Sequence, residues 1–188
     1  MRLIGLDPGL RYTGWGVIEA DANRLSHVAN GVVGSDQSLD LTQRLVQLHE
    51  ALRRVLETYG PAEAAVEASL VNKNPTSSLK LGVARGAILL APGLAGLPVT
   101  EYLPNVVKKA VVGTGHAAKD QIQAMVRHLL PGVIVESPDA ADALAVAICH
   151  SHYAATRRRW SAAQDGNETS AVRAAARAAV RPTQGAGT

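Results

Sequence analysis

A chain of 188 residues, 47% of them apolar, is long enough for one domain with a substantial core and does not require a second. Its single cysteine, Cys149, excludes an intramolecular disulfide and a cysteine-built zinc site and suits a reducing cytoplasm, the expected location. The net charge of +3 is unevenly placed: residues 157–188 carry six arginines against Asp165 and Glu168, which leaves 1–156 slightly acidic and excludes a basic clamp by composition.

"LIGLD" (3–7) is a short apolar run ending in an acid, the pattern of a central strand buried on both faces. "PG" turns the chain, and "TGWGVIEA" (13–20) and "HVANGVVG" (27–34), joined by the polar "DANRL", read as an antiparallel extension of that strand. Asp40 then caps an amphipathic helix whose Leu41, Leu45, Leu48, Leu52, Val55 and Leu56 recur at helical spacing, and Gly60-Pro61 stops it. "EAAVEASL" (63–70) is the next strand. Pro75 opens a helix to about Leu90, in which Gly82 and Gly86 fall four residues apart on one face. Each glycine costs about 1 kcal/mol relative to Ala, so this face predicts the close approach of another surface. "PVTEYL" (98–103) is a strand, 104–111 a short helix ending at Gly113, and Ile122, Met125, Val126 and Leu129 mark another helix. In "SPDAADALAVAICH" (137–150), Ser137 suits the N-cap and Pro138 the first helical position of a last helix running to about residue 155. No stretch reads as membrane-spanning or exported, because the first apolar run meets Asp7 and the later one, 87–99, is broken by Pro92, Gly93, Gly96 and Pro98.

This order is α/β with a mixed five-stranded sheet, three antiparallel strands followed by two parallel ones and flanked by helices, within a domain spanning 1–156. From 157 the Arg- and Ala-rich composition lacks apolar periodicity and predicts a disordered tail.

Four acids sit where a core does not want them. Asp7 ends the most apolar strand, Glu67 interrupts "AAVEASL", and Asp139 and Asp142 lie one turn apart on the Ala-rich last helix. Singly, Asp7 could start a turn, Glu67 could face solvent, and Asp139 could complement a helix dipole. Jointly, the topology places the first strand centrally, the Glu67 strand beside it, and the last helix across their carboxyl-side edge. Converging carboxylates repel and take up protons unless cations compensate. Oxygen donors without Cys or a His cluster favour Mg²⁺, with Mn²⁺ as a substitute, and two such ions about 3.5–4 Å apart suit phosphodiester hydrolysis.

"GLDPGLRYTGWGVIE", "VNKNPTSSLKLGVARG", "VKKAVVGTGHAAKDQ" and "PDAADALAVAICHSH" stand in the order found in the RuvC family of Holliday junction endonucleases, which 1–153 resembles. The resemblance implies a ribonuclease H-like fold, a symmetric homodimer, and Mg²⁺-dependent paired nicking of four-way DNA junctions, with two ions per subunit, in recombination and repair. It also implies collaboration with the RuvA and RuvB branch-migration proteins. By motif, the family's metal-binding acids fall on Asp7, Glu67, Asp139 and Asp142, and its basic residues near the cleaved strand on Lys108 and Lys119. By themselves those lysines read as ordinary surface charges, and His116 as a surface-loop histidine. The Gly82/Gly86 face is the candidate dimer contact. Two residues depart from the pattern: Leu70 stands where the family usually has a base-stacking aromatic, and Val83 replaces the glutamine of "LGQARG".

Two rival readings remain on sequence grounds. "GLDPGLRYTGWG" also suits the phosphate-wrapping hairpin of actin- or sugar-kinase-type nucleotide-binding domains, although no second acidic glycine-rich half follows. A junction-binding protein whose carboxylates form structural ion pairs is the other.

Overall fold

The N-terminal apolar run becomes β1 (Arg2–Asp7), and the chain returns through β2 (Tyr12–Asp21) and β3 (Arg24–Gly34). α1 (Leu41–Tyr59), β4 (Glu63–Glu67), α2 (Pro75–Leu94), β5 (Val99–Tyr102), α3 (Pro104–Val112) and α4 (Lys119–Leu129) follow. The last helix, α5, begins at 138 and is helical through 154. The computed structural model describes residues 1–21, 24–68 and 74–154. The expected 157–188 tail and Leu70 lie outside them. Strand order is β3-β2-β1-β4-β5; β1, β2 and β3 pair antiparallel, and β4 and β5 add in parallel.

β1 is central because both of its faces are apolar. Ile4 and Leu6, with Val17 and Val66, face Leu48 and Leu52 of α1 and Ile88 of α2. Leu3, Ile18 and Ala65 face the other layer, built from Val107, Val126, Leu144 and Ile148 of α3, α4 and α5. Fully buried side chains such as Leu3, Leu52 and Leu144 each contribute roughly 1.5–3 kcal/mol of transfer free energy.

Helix ends follow the expected signals. Asp40 accepts from the Gln43 amide, Gly60 closes α1 in the left-handed region at φ 53°, and Gly113 closes α3 at φ 86°. α2 is the exception. It runs past the expected end near Leu90 and through Pro92, because a proline in the last turn removes only one bond and Ala91 and Pro92 are buried against the core. On α2, nothing among the described residues lies within 4 Å of a Cβ built on Gly82 or Gly86, and both are exposed.

Candidate active site

Period-two alternation decides which acids meet. Along β1, Leu3, Gly5 and Asp7 point to the α5 side, and along β4 Glu63, Ala65 and Glu67 do the same. The parallel register Leu6↔Val66 brings Asp7 and Glu67 side by side at the carboxyl ends of neighbouring strands. Asp7 leads into a turn fixed by the buried Thr13, whose hydroxyl donates to the Gly9 carbonyl at 2.9 Å and accepts from its amide at 3.3 Å.

α5 supplies the other two acids. Ser137 Oγ accepts from the Ala140 amide at 3.1 Å, so the helix starts where the sequence places it, with Asp139 in its first turn. It then crosses the sheet in backbone contact. A Cβ on Gly5 would lie 2.1 Å from the Ala143 carbonyl oxygen, one on Gly14 2.0 Å from that of Asp139, and one on Gly16 2.7 Å from the Leu144 side chain. Gly5, Gly14 and Gly16 are therefore covered by α5, which leaves these three no phosphate-wrapping role.

Asp7, Glu67, Asp142, Lys108 and Lys119 line one cavity of about 300 Å³, walled by Pro104, Val107 and Ile122. Burial, foremost, and then the Glu67 charge and a hydrogen bond to Glu67, with Asp142 and Asp139 beyond, push the Asp7 carboxyl up to about 8. Burial also raises Glu67, while the hydrogen bond from Asp7 and the Lys108 and Lys119 charges oppose the rise. Burial and mutual repulsion thus favour a proton held between the two carboxyls. Lys119 Nζ donates to Asp142 Oδ2 at 3.2 Å, and the Asp142 charge raises its pKa. A lysine in the first turn of α4 opposes the helix dipole, so the acids opposite, rather than helix stability, account for its position.

Asp139 stands behind this front rank, close enough to act on Asp7 and Lys119 electrostatically without lining the cavity. Among the described residues, no three His, Cys, Asp or Glu side chains share one coordination sphere as they stand. The acids are held as an Asp7–Glu67 pair and an Asp142–Lys119 pair, an arrangement that a cation's charge would reorganise. The donor set fits a hard divalent cation: it is all oxygen, and three carboxyls face one cavity against two lysines. His116 lies exposed in the loop before α4, outside the cavity.

Sequence reasoning does not single out the supports of this cavity. Below it, His150 is fully buried on α5, with Nδ1 2.9 Å from the Tyr102 hydroxyl and Nε2 2.8 Å from Glu63 Oε2, tying β4 and β5 to the helix. A proton on Nε2 satisfies both contacts, with the Tyr102 hydroxyl donating to Nδ1. The available signal was the match between the small residues of "GLD" and "TGWG" and the alanines of the last helix.

The family model "Crossover junction endodeoxyribonuclease RuvC" matches residues 3–150. A relative of that name from Rhodospirillum rubrum is 66% identical over 155 residues, covering 82% of this chain and 92% of its own. RuvC of Thermus thermophilus, solved in complex with a Holliday junction substrate, is 35% identical with a TM-score of 0.77, covering 83% of this chain and 96% of that one. The yeast mitochondrial Holliday junction resolvase, at 10% identity and a TM-score of 0.59, shares the fold. With its sheet order, acid-lined cavity and match over residues 3–150, this chain belongs to the RuvC family of crossover junction endodeoxyribonucleases.

Proposed function

We propose that this protein resolves Holliday junctions by paired symmetric nicks, using Asp7, Glu67, Asp139 and Asp142 to hold two Mg²⁺ ions per subunit, with Mn²⁺ as a substitute. The observation that carries this reading is the cavity in which acids and lysines meet at the carboxyl edge of the sheet. Bound cations would supply an activated water and stabilise the leaving oxygen of the scissile phosphodiester. With such ions bound, Asp7 and Glu67 would hold them as carboxylates, and Asp142 would turn from Lys119 toward them, leaving the Lys119 ammonium to face a phosphate. Lys108 and Lys119 then offset the charge that develops on the phosphate oxygens.

Symmetric nicking needs two such sites related by a two-fold axis, so the active form is a homodimer. α2 supports this. Leu79, Val83, Leu90 and Leu94 form an exposed apolar stripe with Gly86 at its centre, and Leu79 and Leu94 are each 70% exposed. A glycine with open space above it admits a second helix closely. No helix among the described residues is long and apolar enough to cross a membrane. Action in the cytoplasm on recombination and repair intermediates, with RuvA and RuvB as branch-migration partners, follows from the family.

The test is a synthetic four-way junction incubated with Mg²⁺ beside a linear duplex of the same sequence. Conversion of the junction to two nicked duplexes, with the linear control intact and no reaction in EDTA, is the expected result. Equal cutting of both substrates, or none of either, overturns the reading.

A further inference from the structure

A β-bulge in β3 decides which side chains meet the approach to the last helix. Gly16 pairs with Asn30, Val17 with Ala29 and Ile18 with His27, so Val28 is the extra residue. Gly16 and Ile18 lie two apart and share a face of β2, so Asn30 and His27 share a face of β3 although they are three apart. It is the face that α5 covers, since a Cβ on Gly16 would meet the Leu144 side chain. Asn30 Nδ2 there lies 2.8 Å from His27 Nε2.

Asn30 is only 6% exposed, and its amide holds the segment that leads into α5. Nδ2 donates to the Ile134 carbonyl at 2.8 Å, and Oδ1 accepts from the Glu136 amide at 3.1 Å. These are the two bonds that a parallel strand neighbour would make around Val135. Residues 133–137 are neither helix nor strand, and Ile134 is 82% exposed, so its own side chain does not anchor this stretch. Immediately after Glu136, Ser137 caps α5, and Asp139 follows in the first turn.

The two backbone partners dictate the orientation of the Asn30 amide, because only Nδ2 can donate to a carbonyl and only Oδ1 can accept from an N–H. His27 Nε2 must then accept the second Nδ2 hydrogen, which requires a neutral ring with its proton on Nδ1. An imidazolium would turn an N–H against the amide hydrogens. Burial holds the ring below the usual imidazole range, against the opposing pull of Glu136. His27 is half-buried at a cavity of about 450 Å³ that Arg24 also lines, so solvent protons reach it, while β2 and α4 face it with the apolar Ile18 and Leu129.

We propose that Asn30 is a positioning residue that fixes the start of α5, and with it Asp139 and Asp142, relative to Asp7 and Glu67, and that uptake of a proton by His27 releases this clamp. The assignment rests on the nuclease reading of the acid-lined cavity. Cleavage thereby depends on pH through a side chain that lies outside that cavity.

Asn30→Ala, His27→Gln and the double variant test it in the full chain. Gln keeps an acceptor for Asn30 and does not titrate. Junction affinity is measured in EDTA, the cleavage rate at saturating protein in Mg²⁺ from pH 8 to pH 5, and the His27 ring titration by NMR in EDTA. Asn30→Ala is expected to bind junctions as the wild type and to cleave them about 10- to 100-fold more slowly at pH 8, the cost of a displacement near 1 Å. His27→Gln is expected to match the wild type at pH 8. As pH falls through the measured His27 titration, the wild-type rate is expected to drop several-fold below that of His27→Gln, a difference that disappears when Asn30 is Ala. The His27 titration is expected to move up in Asn30→Ala, where the ring no longer has to accept. One pH profile shared by the wild type and His27→Gln, or wild-type cleavage by Asn30→Ala, overturns the clamp and leaves the nuclease reading standing. If Asn30→Ala does not fold, the profile of His27→Gln alone decides. A wild type that leaves junctions uncut at every pH brings down the nuclease reading, and an unchanged His27 titration in Asn30→Ala brings down the clamp independently of it.

Discussion

The carbonyl oxygen of Asp139 lies 2.0 Å from the point that a side-chain carbon on Gly14 would occupy, so the acid-bearing helix rests on the backbone of the strand paired with Asp7. Neither backbone can yield as a flexible side chain would. Gly14→Ala must push the start of α5 outward and carry Asp139 and Asp142 away from Asp7 and Glu67. Overpacking of this kind costs about 1–3 kcal/mol, and a displacement near 1 Å at a reacting centre can cost about 100-fold in rate. Junction cleavage by Gly14→Ala is therefore expected to fall by about that factor, with a thermal shift of several degrees. A variant that cleaves at the wild-type rate would show that the helix position does not set the site.

The shared proton of Asp7 and Glu67 makes the metal-free protein pH-dependent. With the Asp7 carboxyl raised from 3.8 to about 8, the folded state binds more protons than the unfolded chain between those values. Stability from this group is thus fully present at acid pH and is lost as pH rises toward 8, by up to about 1.4 kcal/mol per unit across the window. Asp7→Asn keeps a donor toward Glu67 without the charge. In EDTA at pH 8 the variant should melt above the wild type by several degrees, and the gap should shrink at pH 5. Mg²⁺ should raise the wild-type melting temperature and leave the variant nearly unmoved, while cleavage by the variant is abolished. A wild type as stable in EDTA at pH 8 as at pH 5 would contradict the buried pair.

Much of this arrangement was legible in the residues because period-two alternation is rigid. Once Leu3 and Ala65 face the α5 layer, Asp7 and Glu67 must as well, and an N-cap serine followed by proline fixes the start of the last helix. What stayed hidden depended on tertiary contact. Pro92 reads as a helix stop, yet burial of Ala91 and Pro92 carries α2 on to Leu94. Gly82 and Gly86 promised a neighbour that no described residue supplies, whereas Gly5, Gly14 and Gly16, which read only as strand residues, are where two elements touch. The split of the acids into an Asp7–Glu67 pair and a lysine-bound Asp142 is an electrostatic response to their convergence, invisible to any pattern.

Lys119 and Lys108 face the same cavity with unequal partners. Lys119 is bound to Asp142 at 3.2 Å, and its side chain is 73% exposed, so removing it disturbs no packing. Lys119→Ala is expected to lower kcat by about 100-fold, as loss of a charge-stabilising donor does, with a melting temperature close to the wild type. Lys119→Arg should recover part of the loss, because the charge is kept while its geometry changes. Lys108→Ala should behave alike in rate. Parallel losses of rate and stability in both alanine variants would demote the lysines to structural ion partners.

The proposed homodimer is expected to form through the exposed apolar stripe of α2. Four apolar side chains in one exposed row, with Gly86 leaving room between Val83 and Leu90, are covered by nothing else among the described residues in contact with that glycine. Pairing two such stripes about a two-fold axis would bury all eight side chains. Introducing Glu at both Leu79 and Leu90 places four charges in that contact, where like-charge repulsion and desolvation both oppose pairing. Sedimentation should show a wild-type dimer and a monomeric Leu79→Glu/Leu90→Glu variant whose melting temperature, measured on the monomer, no longer depends on protein concentration. The variant should nick junction strands singly, without coordinated cutting of both. A wild-type chain that sediments as a monomer at every concentration removes the stripe as the dimer contact, and with it the two-fold geometry on which paired nicking depends.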